Sequence, residues 1–246
     1  MLEFIISQKI NKNLEMQAQS VFQEWFISNP ASSDWDTGTF SDIIESMIAG
    51  DWGKESLQGN YTQPVYCIRG ADIPDVKLGN KGKIPTRYIL SKNYAKKKLV
   101  DGDVVIEISG GSPTQSTGRI AAIPQSLLDR YDKGMVCTNF CKALKPKQGY
   151  SMFLYYYWQY LYNRNVFFSF ENGTTGIKNL DISGFIETEP IVLPPTELIK
   201  KFDAYCQNIF SITFANGLEC EQLSVIRDTL LPRLMSGEID VSNIDF

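Results

Sequence analysis

The 246-residue chain contains no histidine. That absence removes imidazole general bases, His-based triads and His-ligated metals from consideration. Also missing are a G-x-x-x-x-G-K-[ST] phosphate loop, a G-x-G-x-x-G turn after a strand, and a G-x-S-x-G nucleophile elbow. The five cysteines (Cys67, Cys137, Cys141, Cys206, Cys220) are odd in number and include no C-x-x-C pair. They read as reduced structural thiols, and neither a metal nor any other cofactor is expected. No run of about 18 apolar residues occurs, and Met1–Ile10 lacks the basic flank and small-residue cleavage site of a leader. A cytoplasmic protein with no membrane partner is the expectation.

What is present suits an ordered globular chain, 43% hydrophobic and 21% charged. Two helical arms bracket a mixed centre, giving expected segments of 1–29 for a first helix, 30–192 for a central domain and 193–246 for a second helix and tail. In the first arm Ile6, Ile10, Leu14, Ala18, Val21 and Trp25 recur every three or four residues, widened by Phe22 and Phe26. Asn29-Pro30 should stop that helix near Ser28, because the residue before a proline is pushed out of the helical region. The second arm begins after Pro194-Pro195 and runs to about Met235, where Ser236-Gly237 supplies a stop; Pro232 should kink or fray its last turn. Roughly forty residues of helix span about 60 Å, more than a compact domain needs.

Written as heptads, one seam of this arm holds Phe202, Ile209, Asn216, Leu223 and Leu230, and the other Leu198, Tyr205, Ile212, Glu219, Ile226 and Arg233. Asn216 and Glu219 beside Gly217 either fix register against a second helix or mark a break between two helices. The expected helix interface is therefore Leu14, Val21 and Trp25 with Leu198, Phe202, Ile209, Leu223, Ile226 and Leu230. Between the arms, Pro64–Ile68, Thr86–Leu90, Asp103–Ser109, Gly118–Ile123 and Met135–Cys141 read as strands. Met152–Tyr162 reads as a helix that is aromatic on every side and therefore buried.

The net charge of −4 conceals a segregation: residues 51–190 carry +5, and the two flanks together −9. Val76–Val100 holds Lys77, Lys81, Lys83, Arg87, Lys92, Lys96, Lys97 and Lys98 with no Asp or Glu at all. An acid-free basic block predicts a polyanion face, with Lys81, Lys83 and Arg87 as phosphate contacts. Glycine-rich loops at 110–119 and 172–176 offer small polar donors that a nucleic acid can approach closely. Ser112, Gln115, Arg119, Thr174, Thr175 and Lys178 are the candidates for base readout.

Several strings, in order along the chain, resemble the specificity subunits of type I restriction–modification systems. They are INKNLEMQAQSVFQEWF at Ile10–Phe26, GDWGKE at Gly50–Glu55, DGDVVIEISGG at Asp101–Gly111, GTTGIKNL at Gly173–Leu180, and Leu193-Pro194-Pro195. RDTLLPRLMSGEIDV at Arg227–Val241 resembles the family's C-terminal signature most closely. The resemblance implies a mixed α/β (α+β) target-recognition domain flanked by long helices in an antiparallel coiled-coil spacer. It implies a non-catalytic subunit that binds double-stranded DNA and directs methyltransferase and restriction/translocase subunits to it. With one recognition domain, the chain is expected either to pair with a second copy or another specificity half, or to be the second half of a longer protein. Two alternatives remain: a protein-only helical scaffold, and a metal-dependent nuclease using Asp101, Asp103 and Glu107, which strand alternation would place on one face.

Overall fold

The computed structural model describes residues 2–110, 112, 114–173 and 177–239. The chain enters through helix α1 (Leu2–Phe22), which widens into a π turn at Gln23–Ile27 and stops at Ser28. Asn29 holds the exit by donating to the Trp25 carbonyl and accepting from Ala31 N–H, so the Asn-Pro stop behaves as the dihedral argument requires. Strands β1 (Asp36–Thr39), β2 (Ile44–Ala49) and β3 (Gln63–Ile68) follow, then α2 (Ile73–Lys77), β4 (Thr86–Ile89), α3 (Ser91–Lys97), β5 (Asp103–Glu107), β6 (Ser109–Gly110), β7 (Ile120–Ile123) and α4 (Gln125–Leu128). The rest comprises β8 (Met135–Cys137), β9 (Cys141–Pro146), α5 (Ser151–Asn163), β10 (Glu171–Asn172), β11 (Lys178–Leu180), α6 (Ile182–Thr188), β12 (Pro190–Leu193) and the 40-residue α7 (Thr196–Met235).

The central sheet is antiparallel, in the order β2-β9-β5-β7. Strict alternation explains why every residue of β5 is buried. Val104 and Ile106 join a core shared with α5 and both long helices, while Val105 faces a second core with Ile68, Ile73 and Val76. A second sheet, β4-β3-β8, pairs β3 antiparallel to β4 and parallel to β8. Strands β1 and β12 pair antiparallel and close the neck between the two long helices.

Helix α5 is the keystone of the larger core. Trp158 is fully buried, donates Nε1–H to the Gly118 carbonyl at 2.8 Å, and packs on Phe167 and Phe185. Its other side meets the long helices, where Phe22, Phe26 and Phe202 form an edge-to-face cluster with Phe153 and Tyr156. The aromatic run is core, as its all-round apolarity required.

Trp25 lies against Phe202 and Tyr205, and Asn11 bonds Thr213 and Asn216, so α1 and α7 run antiparallel. Helix α7 is continuous through Asn216–Glu219, as its expected run to about Met235 requires, so the polar seam marks no break. One expectation needs correction. Met135–Cys141 is two strands separated by a turn at Thr138–Phe140, because the chain must leave β8, beside β3, to enter β9 in the other sheet. Pro232 lies inside α7, which ends where Ser236-Gly237 was expected to stop it; Gly237 takes φ +73° and donates to the Leu234 carbonyl.

Candidate nucleic-acid interface

At the end of β5 the chain crosses into a three-stranded sheet of order β10-β11-β6, with Lys178 opposite Gly110 and Asn179 opposite Ser109. This small sheet brings the strands that lead into the two glycine-rich stretches, some sixty residues apart in sequence, to one end of the molecule. The stem of the 110–119 loop is fixed from below. Thr117 donates N–H and Oγ1–H to Glu171 Oε1 at 2.6 and 2.9 Å, Tyr162 donates to the Ser116 carbonyl, and Trp158 holds Gly118. Gly118 has φ +95°, and a Cβ there would press within 3.0 Å of the Phe167 ring. At the tip Ser112 and Gln115 close a bridge, with the Ser112 hydroxyl accepting from Gln115 N–H at 3.0 Å, and the Gln115 side chain projects into solvent. A rigid stem with an exposed polar tip suits base-edge reading, since ordering costs are met in advance. Thr174 and Thr175, also expected here, lie outside the described residues.

Beside the loop lies a cleft of about 490 Å³ whose walls include Trp52, Arg69, Glu107, Ser109, Asn139 and Phe140. Phe140 is 61% exposed, unusual for so large an apolar ring. Glu107 forms the inner wall and receives both arms of Arg119, Nε at 2.7 Å and Nη2 at 2.6 Å. That forked bond raises the Arg119 pKa above its ordinary value. Gly70 has no room for a side chain, because a Cβ would fall 2.3 Å from Glu107 Oε1. Arg69 is forked onto Asp72 at 2.9 Å and also donates to the Lys83 carbonyl at 3.0 Å; Lys83 itself lines a separate cleft beside α7. Sequence reasoning missed Trp52, Arg69, Asn139 and Phe140, whose common wall exists only after folding.

The acid-free block divides. Lys77 Nζ lies 4.0 Å from Glu15 of α1 and donates to Gln159, and burial lowers its pKa. Lys81 lies 3.9 Å from Glu221 of α7 and over the Tyr131 ring. Arg87 is only 7% exposed, stacks 3.9 Å from the Trp52 ring centre and bonds the Trp52 carbonyl and Glu55. Lys97 bonds the Gly50 carbonyl and faces Asp51. Lys83, Lys92, Lys96 and Lys98 are exposed, with no ion pair among the described residues. Of the expected phosphate contacts, Lys81 thus ties the domain to the acidic helix, and Arg87 props Trp52 from beneath. Lys178 keeps its place at the loop cluster, paired with Glu171 at 2.8 Å and lying over the Phe168 ring.

The three carboxylates of the nuclease alternative are separately engaged. Asp101 accepts from Gln125 N–H, Asp103 from Lys145 and Val100, and Glu107 from Arg119. Burial raises the Asp103 pKa. Among the described residues no group of carboxylates and thiols is arranged to hold a metal ion, and no helix is long and apolar enough to cross a membrane.

The expected helix interface also divides. Leu14, Val21, Trp25, Leu198, Phe202 and Ile209 pack in the larger core, whereas Leu223, Ile226 and Leu230 are exposed.

Comparison with known proteins supplies the last observations. Residues 32–213 match the family described as type I restriction modification DNA specificity domain. The type I restriction enzyme MjaIX specificity subunit of Methanocaldococcus jannaschii is 25% identical over 253 residues, covering 96% of this chain and 55% of that protein. The type I restriction enzyme HindI specificity subunit of Haemophilus influenzae is 43% identical over 68 residues, 28% of this chain and 15% of that protein. The chain thus spans about half the length of the first of these relatives. The S subunit of a type I restriction-modification system from M. genitalium shares the fold with a TM-score of 0.54 at 17% identity, over 94% of this chain and 55% of that one. A chain from a structure of type I R-M complex assembly and conformational transition gives 0.51 at 18% identity, over 93% and 53%.

Proposed function

The chain belongs to the type I restriction–modification DNA specificity family, and from that premise we propose that it is a sequence-specific DNA-binding specificity subunit with one target-recognition domain, residues 30–192. The observation that carries this reading is the pairing of the strands β6, β10 and β11, which flank the two glycine-rich stretches, in one small sheet beside an aromatic cleft. Ser112, Gln115, Arg119, Thr174, Thr175 and Lys178 supply the reading set. Lys83, Lys92, Lys96 and Lys98 supply the sequence-independent attraction to phosphate. The subunit does no chemistry itself; its DNA face and its acidic helices hold DNA and protein partners at opposite ends.

The partners are double-stranded DNA, methyltransferase subunits, a restriction/translocase subunit, and a second specificity half. Leu223, Ile226 and Leu230 are the contact for that second half: Leu223 and Leu230 continue the seam that Phe202 and Ile209 bury, Ile226 lies on the neighbouring seam, and all three stand exposed among the described residues. If the second half is another copy, two-fold symmetry makes the DNA target an inverted repeat.

The test is co-purification with a cognate methyltransferase subunit and sequencing of the methylated sites that the complex produces. A reproducible two-part motif is expected. Stable assembly with neither methylation nor salt-sensitive DNA binding would overturn the reading in favour of a protein-only scaffold. Metal-dependent DNA cleavage by the chain alone would overturn its non-catalytic part.

A further inference from the structure

Where the recognition domain meets the long helices, four segments converge on one buried polar joint. Asn11 of α1 is 2% exposed; its Nδ2 donates to the carbonyls of Leu78 at 2.9 Å and Thr213 at 3.0 Å, and its Oδ1 accepts from Asn216 Nδ2 at 2.8 Å. Three of the four hydrogen bonds an asparagine side chain can make are thereby filled, each by a different segment or turn. Gly79 and Gly217 touch backbone to backbone. A Cβ on Gly217 would lie 1.9 Å from the Gly79 carbonyl oxygen, and one on Gly79, which has φ +75°, would lie 2.3 Å from the Thr213 carbonyl oxygen. Arg130, with its side chain 7% exposed, locks the contact by donating to the Gly79 carbonyl at 2.5 Å and to Glu221 at 2.6 Å.

Beyond this joint α7 has little bracing. Clefts of about 820 and 470 Å³ flank Arg130 and Glu221, one opening between α4 and α7 and the other beside the 80–83 loop. From Gly217 to Met235 the helix projects roughly 27 Å at about 1.5 Å per residue. A tilt of about 10° at the joint would move its far end by about 5 Å, more than the base-pair rise of about 3.4 Å.

We propose that the joint of Asn11, Gly79, Arg130, Asn216, Gly217 and Glu221 is a specificity-determining element that never touches DNA. By locking the recognition domain to α7 at one angle, it sets the distance between the reading loops and whatever is mounted on the far end of the helix. Under the function proposed above, on which this inference rests, that distance is the separation of the two half-sites. Asn216 is then a register residue between α7 and α1, as its place in the seam suggested, and Asn11 carries the link on to the domain through the Leu78 carbonyl.

Two variants test the joint: Gly217→Ala inserts a methyl group into the backbone contact, and Glu221→Gln removes the charge that pairs with Arg130 while keeping a hydrogen-bond acceptor for it. The first readout needs no DNA. Spin labels on Lys96→Cys and Thr229→Cys, both exposed, report the distance from domain to helix in labelled chains diluted with unlabelled ones. The native thiols are all buried, and burial pushes Cys67 and Cys141 up to about 12 and about 11, so labelling is selective. The original joint should give one narrow distance, shifted or broadened in each folded variant. The second readout is the methylated motif, which should keep its half-site sequences while their separation changes by one base pair or more. A broad distance before mutation, or an unchanged distance and separation in both folded variants, would overturn the inference. If the unmutated complex methylates no defined site, the proposed function fails, and the distance measurement still decides whether the joint sets the angle.

Discussion

Between Thr196 and Phe214 the long helix α7 buries Ile199, Phe202, Cys206, Ile209 and Phe214, whereas from Leu223 onward Leu223, Val225, Ile226, Leu230, Leu231 and Met235 stand exposed. The apolar spacing is the same in both halves. The first half is covered by α1 and α5, whose aromatic rings close over Phe202; the second stands exposed among the described residues. A heptad pattern specifies a face that needs a partner, and it does not say whether that partner lies in the same chain.

The sharpest way to break this contrast is at Phe202. Replacing it with Ala should cost about 3–5 kcal/mol of stability, because four aromatic neighbours lose a fully buried ring. Denaturant unfolding of the intact chain measures it, and a loss under about 1 kcal/mol would mean that the proximal half is not core. Asn11→Ala should cost about 1–3 kcal/mol, since it strands Asn216 and two carbonyls in a buried site.

The core thiols probe the same contrast by pH. Burial raises Cys67 and Cys141 above their ordinary 9.0, so the folded chain keeps protons that the unfolded chain gives up. Their contribution is complete below pH 9 and is lost as pH rises through the window up to about 11 and 12. Stability should therefore fall above pH 9, and fall less in the Cys67→Ala, Cys141→Ala variant; equal alkaline loss in both proteins would contradict the assignment.

On the exposed half, Leu223→Ser, Ile226→Ser and Leu230→Ser should each change stability by no more than about 0.5 kcal/mol. Together they should abolish co-purification with a second specificity half; retained assembly would remove this ridge from the interface. The smallest effect belongs to Lys83→Glu, an exposed lysine of the acid-free block. It should weaken binding to every DNA sequence alike and lower the slope of log affinity against log salt by about 0.9 per lost phosphate contact. An altered motif instead would make Lys83 a base reader.

The parts of the fold legible in the sequence were those governed by local rules. The Asn29-Pro30 stop, the all-round apolar α5 and the Ser236-Gly237 terminus follow from dihedral limits and periodicity. Less legible was anything decided by which segments meet. Arg87 and Lys81 stand in an acid-free stretch of sequence, yet folding brings Glu55 to one and Glu221 to the other. Part of the segregation between basic centre and acidic flanks is therefore internal pairing across the joint. Phe140 was hidden because Met135–Cys141 reads as one strand, and only the change of sheet at Thr138–Phe140 turns the ring outward. Within the candidate site, the two loops were visible as glycine-rich strings, but their adjacency depends on the pairing of Lys178 with Gly110.

The central claim is that the loop cluster at the end of β5 reads DNA sequence. It is tested most directly by sequencing the sites methylated by the complex when this chain carries Gln115→Ala, compared with the unmutated chain. The account predicts a motif relaxed at a single base position in each half-site that this chain reads, with the remaining positions and the half-site separation intact. A motif that stays the same at every position, in this variant and when Ser112, Arg119 and Lys178 are replaced in turn, would contradict it.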